Sequence, residues 1–393
     1  VKVMTWKNVR AVRILLDCAL SEGDYLGQSW NKVLQCVSQL ARLLLFAERL
    51  KTDDHFFSQD TGPVEEEASL NPFVALFSTP TKAESARGIE ERNAQLILQQ
   101  EEALGVLVDR VFTNSRTLSS AGVVAFVENL CHVSLLEIST SSSMNSLRGE
   151  GMAGDTSVPR IFSLQKIVEV ADFNMLLRAR LEWTRIWTLL AGHFTAVGSS
   201  QNPALAMFAV DSLKQLSIKF LQKPELSNFN FQRTFLKPFE TITLATKSVE
   251  IRELILHCLD AMLRQCAENM RSGWKPVFAI FQHASSCRTG EAAALAFGTV
   301  RRLVSLDSTL PSHDFVDFMN CVVAFTGAVS SEISLQALKL LSQCTDFLDN
   351  KYAQVVEQGG EEAVFRFWWP LLLGLSTRVS DPRQPIRQKA LEI

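Results

Sequence analysis

Three features of this sequence predict an all-α protein. Capping signals recur at a repeat-like period, apolar residues follow each of them at helical spacing, and period-2 alternation is absent. From Ser163 onward, side-chain oxygens able to cap free backbone N–H groups return about every 39–50 residues. They fall at Ser163, Asn202, Ser248, Thr289, Ser331 and Asp381, and Pro203 and Pro382 follow two of them at the position where no donor is lost. The period is that of a HEAT- or armadillo-like helical array. The expected architecture is therefore an α-solenoid with two flexible insertions, and arrays of this kind hold other proteins.

The chain has 393 residues, of which 47% are hydrophobic, with 25 Phe and 7 Trp, so apolar surface for a large or extended core is plentiful. Twelve Pro and 18 Gly punctuate it only sparsely. The sequence shows neither a run of about 18 uninterrupted apolar residues nor a basic-then-apolar leader. It begins at Val1 and ends in mid-pattern at Ile393, which reads as a fragment of something longer. Seven of the 8 Cys (Cys18, Cys36, Cys131, Cys258, Cys266, Cys321, Cys344) sit in apolar helical runs and none forms a CxxC pair, which suits buried thiols in the cytosol. Charge is uneven. Residues 48–102 carry 12 acidic and 5 basic side chains, and residues 160–302 carry 18 basic and 11 acidic ones. Such blocks are ordinarily solvated faces, and the sharper reading is a basic face that meets an anionic membrane or an acidic partner.

In chain order, helices are expected over Lys7–Leu20 and Ser29–Leu50, the second with Trp30, Val33, Leu34, Val37, Leu40, Ala41 and Leu44 on one stripe. Residues 52–87, with Pro63, Glu65–Glu67, Pro72 and Pro80, read as an insertion. Helices resume near Ile89–Phe112 and Ser119–Glu137, and residues 139–160 read as a Ser/Gly linker in which Ser141–Ser143 are coil. There Gly149-Glu150-Gly151-Met152-Ala153-Gly154 matches GxGxxG by letter, but no strand feeds it, so it reads as a loop. Phe162 precedes the cap Ser163 and can staple to Ile167. A further helix carries Leu181, Trp183, Ile186, Trp187, Leu190 and Phe194, and another runs from Asn202 to Pro224. Helix pairs should fill each later interval, with Trp274 and Trp369 leading comparable runs at Trp274–Phe281 and Phe365–Leu375.

Chemistry is sparse. The six His show no metal-ligand spacing, so no metal is expected. There is no G-x-S-x-G elbow and no P-loop, so catalytic residues and cofactors are expected to be absent. A pI near 6.1 and the lack of aromatic-plus-basic motifs argue against nucleic acid. Asn174 and Asp211 inside helical runs read as buried polar groups bonding across helix pairs. The sharper reading sets Arg180, Lys214 and Arg271 on one face for a partner, with Trp183, Phe231 and Trp274 among the candidate anchors beside Asn174 and Asp211.

Specific words fill the intervals. Ile161–Val170 ("IFSLQKIVEV"), Asn174-Met175, Trp183, Ile186-Trp187, Phe208–Ser217 ("FAVDSLKQLS"), Phe231-Gln232, Phe235–Glu240 ("FLKPFE") and Asn269…Arg271-Ser272-Gly273-Trp274 follow in order. Tyr25-Leu26-Gly27…Ser29-Trp30 and Val108–Phe112 precede them. Together they resemble the large Arf guanine-nucleotide-exchange factors of the trans-Golgi, the brefeldin A-inhibited, Sec-seven-type family. This chain holds one residue more than that pattern between Met175 and Trp183.

The resemblance implies a region downstream of the catalytic domain. Residues 1–138 would hold the first homology region after it, 139–160 a linker, 161–247 a helical domain and 248–393 further repeats. It also implies a non-catalytic role: binding the GTP form of an Arf-type GTPase, contacting an anionic Golgi membrane and other domains of the same factor, and releasing autoinhibition. The expected location is cytosolic, peripheral on trans-Golgi network membranes. The repeat alone suits equally a generic helical adaptor with no GTPase preference.

Overall fold

A computed structural model describes residues 3–47, 88–89, 91–97, 103–147, 160–222, 225, 230–287, 290–305 and 315–393. Among them every regular element is helical and none is a strand. The insertion at 52–87, the Gly149–Gly154 loop and the cap at Thr289 lie outside the described residues. The chain forms two compact units, Val1–Leu190 and Ala191–Ile393.

The first unit contains α1 (Trp6–Ser21), α2 (Trp30–Ala47), α3 (Ala103–Thr113), α4 (Ser120–Leu147) and α5 (Phe162–Met175), with α6 (Arg180–Gly198) crossing into the second. Helix α1 packs on α3, α3 on α5 and α2 on α4, and α4 packs also on α5. The α2 stripe is buried from Trp30 to Ala41, because residues three and four apart share a helix face. Trp30 meets Phe126 edge to face at 4.7 Å and donates its indole N–H to Gly23 O at 3.0 Å. The α4 stretch Ser120–Ser139 is long and apolar enough to cross a bilayer. Its Val123, Phe126, Val127 and Leu130 are instead buried, as in a core helix.

Two expectations change here. Helix α4 runs on to Leu147, so Ser141–Ser143 are helical and not coil. Ser163 is not the cap of α5, which starts one residue earlier. The buried Glu137 of α4 supplies the acceptor, taking bonds from Ser163 N–H at 3.0 Å and Ser163 O–H at 2.8 Å. A carboxylate at that helix start suits the macrodipole.

The second unit continues with α7 (Pro203–Leu221), α8 (Phe231–Ala245), α9 (Val249–Cys266), α10 (Trp274–Ser285), α11 (Gly290–Ser305), α12 (Phe315–Thr326), α13 (Ser331–Val379) and α14 (Gln384–Glu392). Helices α7, α9, α11 and α13 form one layer and α8, α10 and α12 the other, each packing on its next-but-one neighbour. This alternation is the stacking that a helical-repeat array requires. Asn202 caps α7 by accepting from Ala204 N–H at 3.0 Å, with Pro203 behind it, and Ser248 caps α9 through Ile251 N–H. The cap of α13 is Ser330, one residue before the expected Ser331.

The last interval departs most from expectation. A single 49-residue helix, α13, replaces the expected pair. Trp369 on it is 61% exposed, whereas Trp274 is fully buried, so the two do not lead equivalent runs. Phe365, Leu372 and Leu373 are exposed along with Trp369. Asp381 does not cap α14 and Pro382 is not its first residue; Arg383 precedes the helix and Pro385 takes the early position. Asp381 is buried and gathers arginines. Arg383 donates Nε to Oδ1 at 2.9 Å and Nη2 to Oδ2 at 3.0 Å, and Arg387 donates to Asp381 O at 2.8 Å. Arg383 also reaches Ala328 O at 2.8 Å, tying α14 to the turn before α13. The Arg383 bonds chiefly hold the Asp381 carboxyl down to about 2.

His193 of α6 is buried with neither ring nitrogen hydrogen-bonded, and burial pushes its pKa down to about 4. The folded value lies below the unfolded one, so protonation favours the unfolded chain. This part of the stability is complete above about pH 6.5 and falls as pH drops towards 4. Between about pH 7.5 and 5 the wild type should lose about 2 kcal/mol more than His193→Leu in urea unfolding. Equal losses in the two would show that the imidazole is hydrated or protonated in the fold.

Candidate functional site

The most heavily bonded corner of the second unit joins the end of α7, the start of α8 and the loop Ala267–Gly273. Gln232, the second residue of α8, is buried. Its Oε1 accepts from Arg271 N–H at 2.8 Å and Gly273 N–H at 3.4 Å, while Nε2 donates to Asn269 O at 2.9 Å. Glu225 accepts from Gln232 N–H at 2.9 Å and Ser272 N–H at 3.1 Å. Ser272 Oγ accepts from Arg233 N–H at 3.1 Å, and Asn269 Nδ2 donates to Leu221 O at 3.0 Å and Gln222 O at 3.1 Å. A loop that enters a core must satisfy its backbone groups somewhere, and here side chains do so. At Gly273 a Cβ would lie 3.1 Å from Leu236 and Met270 side chains, so the close approach favours glycine.

The candidate anchors are placed by the same corner. Trp274 opens α10 and stacks on Phe278 with centroids 5.4 Å apart, and Phe278 meets Phe318 at 5.8 Å. It is a core residue, which corrects its reading as a surface anchor: α10 packs between α8 and α12, and Trp274 lies on the buried side of its first turn. Phe231 is half-buried against Phe220 at 5.4 Å and Phe235 at 6.1 Å. Arg271 is exposed.

Asp211 and Lys214 pair with each other on α7 at 3.7 Å, and Asp211 accepts from Gln215 at 2.7 Å. The expected bond from Asp211 across a helix pair is therefore replaced by neighbours on its own helix, at a half-exposed position where i+3 and i+4 are within reach. Arg180 belongs to the first unit, Lys214 and Arg271 to the second.

In the first unit, Asn174 does bond across elements. It is fully buried, donating to Ser115 Oγ and to Val170 O, both at 2.9 Å. Its Oδ1 accepts from Arg178 Nε at 2.9 Å. Arg178 spends its remaining donors on Leu118 O at 2.7 Å and Ser115 O at 2.6 Å. The α5–α6 turn is thereby pinned to the loop after α3. Pinned there, it exposes Leu176, Leu177 and Leu181 by 50%, 57% and 80%, beside the exposed Arg180. This ledge lies in the interval that holds the extra residue. Trp183, also read as an anchor, is 3% exposed and lies 6.0 Å from Trp187 in the core.

Sequence reasoning missed Gln232 and Glu225 as organisers, and it missed the leucine ledge. The available signals were a glutamine at the second position of an apolar helix and consecutive leucines at a helix end.

Burial pushes the thiols of Cys258 up to about 11 and of Cys131 and Cys344 to about 12. Among the described residues no three His, Cys, Asp or Glu side chains gather as a metal would need. Exposed at these places are an apolar ledge next to Arg180 in the first unit and a corner rimmed by cations in the second.

Residues 219–302, which contain the corner, match the family model described as Mon2/Sec7/BIG1-like, HDS. The chain is 33% identical to brefeldin A-inhibited guanine nucleotide-exchange protein 3 of Arabidopsis thaliana, over 98% of this chain and 24% of that protein. It is 33% identical to protein 1 of that name from Homo sapiens, over 99% of this chain and 21% of the relative. Protein 1 of Arabidopsis thaliana is 31% identical over 99% of this chain and 25% of its own length. The chain thus spans about a quarter of the length of these relatives.

Proposed function

This chain corresponds, over nearly its whole length, to one region of the brefeldin A-inhibited guanine nucleotide-exchange proteins, and on that premise we propose that it is a non-catalytic regulatory region of a large Arf exchange factor. It binds an Arf-type GTPase in its GTP form, touches other domains of the same factor to release autoinhibition, and supports peripheral recruitment to trans-Golgi network membranes from the cytosol. Supporting this reading is the alignment of nearly the entire chain with exchange proteins, together with surfaces shaped for docking.

Within that reading the leucine ledge is the GTPase contact. Three exposed leucines on a turn fixed by Arg178 present apolar area that needs no reordering on binding, and Arg180 beside them supplies directional donors. The chain should capture Arf loaded with a GTP analogue and not Arf loaded with GDP. Leu176→Ser/Leu177→Ser/Leu181→Ser should weaken capture at least about tenfold, since fully burying one leucine side chain contributes roughly 1.5–3 kcal/mol. Melting should scarcely change, because the side chains are exposed. Equal capture in both nucleotide states would leave an adaptor indifferent to the GTPase. Nucleotide-selective capture that survives the triple substitution would move the contact elsewhere.

A further inference from the structure

Four cations surround the corner that Gln232 ties together: Arg233 and Lys237 on α8, Arg271 in the loop, and Lys275 on α10. All four are exposed. Among the described residues none of them is in an ion pair. The backbones of Arg233 and Arg271 are fixed at this corner, since Arg233 N–H donates to Ser272 Oγ and Arg271 N–H to Gln232 Oε1. Lys237 follows Arg233 by one helical turn, and Lys275 stands four residues beyond Arg271.

Two of these positions run against helix electrostatics. Arg233 is the third residue of α8 and Lys275 the second of α10, within first turns where the macrodipole disfavours a cation. Neither helix has an acidic residue in its first turn. The carboxylate of Glu225 is committed to Gln232 and Ser272 N–H groups. The other acids nearby in sequence, Glu240 and Glu268, pair with none of the four. Glu225 offsets part of this charge at the start of α8, and the four exposed cations still leave the corner positive where first turns prefer negative charge. Departures of this kind concentrate where a ligand repays them.

The surface between these cations indicates the occupant. Between the four cations no large apolar side chain is exposed; the first on α8 is Leu244, two turns beyond Lys237. A protein partner would ordinarily take hold of an aromatic or aliphatic anchor at the centre of its patch. Point cations on a rigid polar surface suit the phosphates of an anionic bilayer.

We propose that Arg233, Lys237, Arg271 and Lys275 form a membrane-docking patch for anionic lipid headgroups. The proposal rests on the membrane part of the reading above and assigns it to one corner, distinct from the leucine ledge.

The test is co-sedimentation of the 393-residue chain with phosphatidylcholine vesicles containing or lacking phosphatidylserine, at low and high salt. Binding should require phosphatidylserine and weaken as salt screens the charges. The variant Arg233→Gln/Lys237→Gln/Arg271→Gln/Lys275→Gln should reduce partitioning by two to three orders of magnitude, since each basic residue at such a surface contributes roughly fivefold. A control, Lys7→Gln/Arg10→Gln/Lys32→Gln/Arg185→Gln, should bind as wild type, and unchanged melting of both variants shows the fold is kept. If the wild type ignores phosphatidylserine, the membrane reading itself fails and this patch with it. If wild type binds and the patch variant binds equally, the reading survives and the patch is wrong. If the control loses as much, overall charge alone drives binding and the patch is overturned.

Discussion

Gln232→Leu is expected to destabilise the second unit by roughly 3–5 kcal/mol. The buried amide closes three loop bonds: to the carbonyl of Asn269 and to the N–H groups of Arg271 and Gly273. Leucine fits the space but leaves those backbone groups unpaired inside protein, at roughly 1–3 kcal/mol for each group. The Gly273 bond is the longest of the three, so it carries the smallest share. Urea unfolding of the 393-residue chain measures the effect. Gln232→Glu keeps the acceptor for Arg271 and Gly273, and should recover part of the loss. Its second oxygen faces the Asn269 carbonyl and cannot donate to it. A loss under about 1 kcal/mol for the leucine variant would mean that packing around Trp274 holds the loop without the amide.

Asp381→Ala should cost a similar roughly 3–5 kcal/mol, the usual consequence of removing one partner from a buried ionic cluster. Arg383 would lose its two side-chain bonds and its N–H acceptor, and the guanidinium that ties Ala328 to α14 would be left without its counter-ion. Asp381→Asn retains an acceptor for Arg383 N–H and removes the charge, so it should fall between. The carboxyl's folded pKa of about 2 lies below the unfolded value. Its contribution is therefore present above about pH 4 and is lost as pH falls through 2. Indifference to both substitutions would show the arginines re-pairing with water.

The helical class and most helix positions were legible because they depend on local signals. The α2 stripe from Trp30 to Ala41 and the caps at Asn202 and Ser248 need only side chains within one turn of each other. Errors arose where a distant residue did the work. Ser163 looked like a cap, but Glu137 brings the acceptor from the preceding helix. Asp381 looked like a cap, but three arginines close around it. Tryptophans are frequent both in cores and at interfaces, so the spacing of Trp183 and Trp274 could not decide between the two. Burial decides it for the core. The leucine ledge and the cationic corner are properties of which residues are left over after packing, and a linear pattern does not encode that remainder.

The alternate layering of the second unit bears on how the chain responds to force and heat. From α7 to α11 the helices lean mainly on those two before and two after them, so a perturbation there passes along a layer stepwise rather than reaching the whole at once. Amide exchange should accordingly be graded: slowest in α9 and α10, which have neighbours on both sides, and fastest in α14, which packs chiefly on α13 at the end of the unit. The corner built by Gln232 sits next to the slow end of that gradient. A docking surface there would stay in shape while the end of the unit breathes.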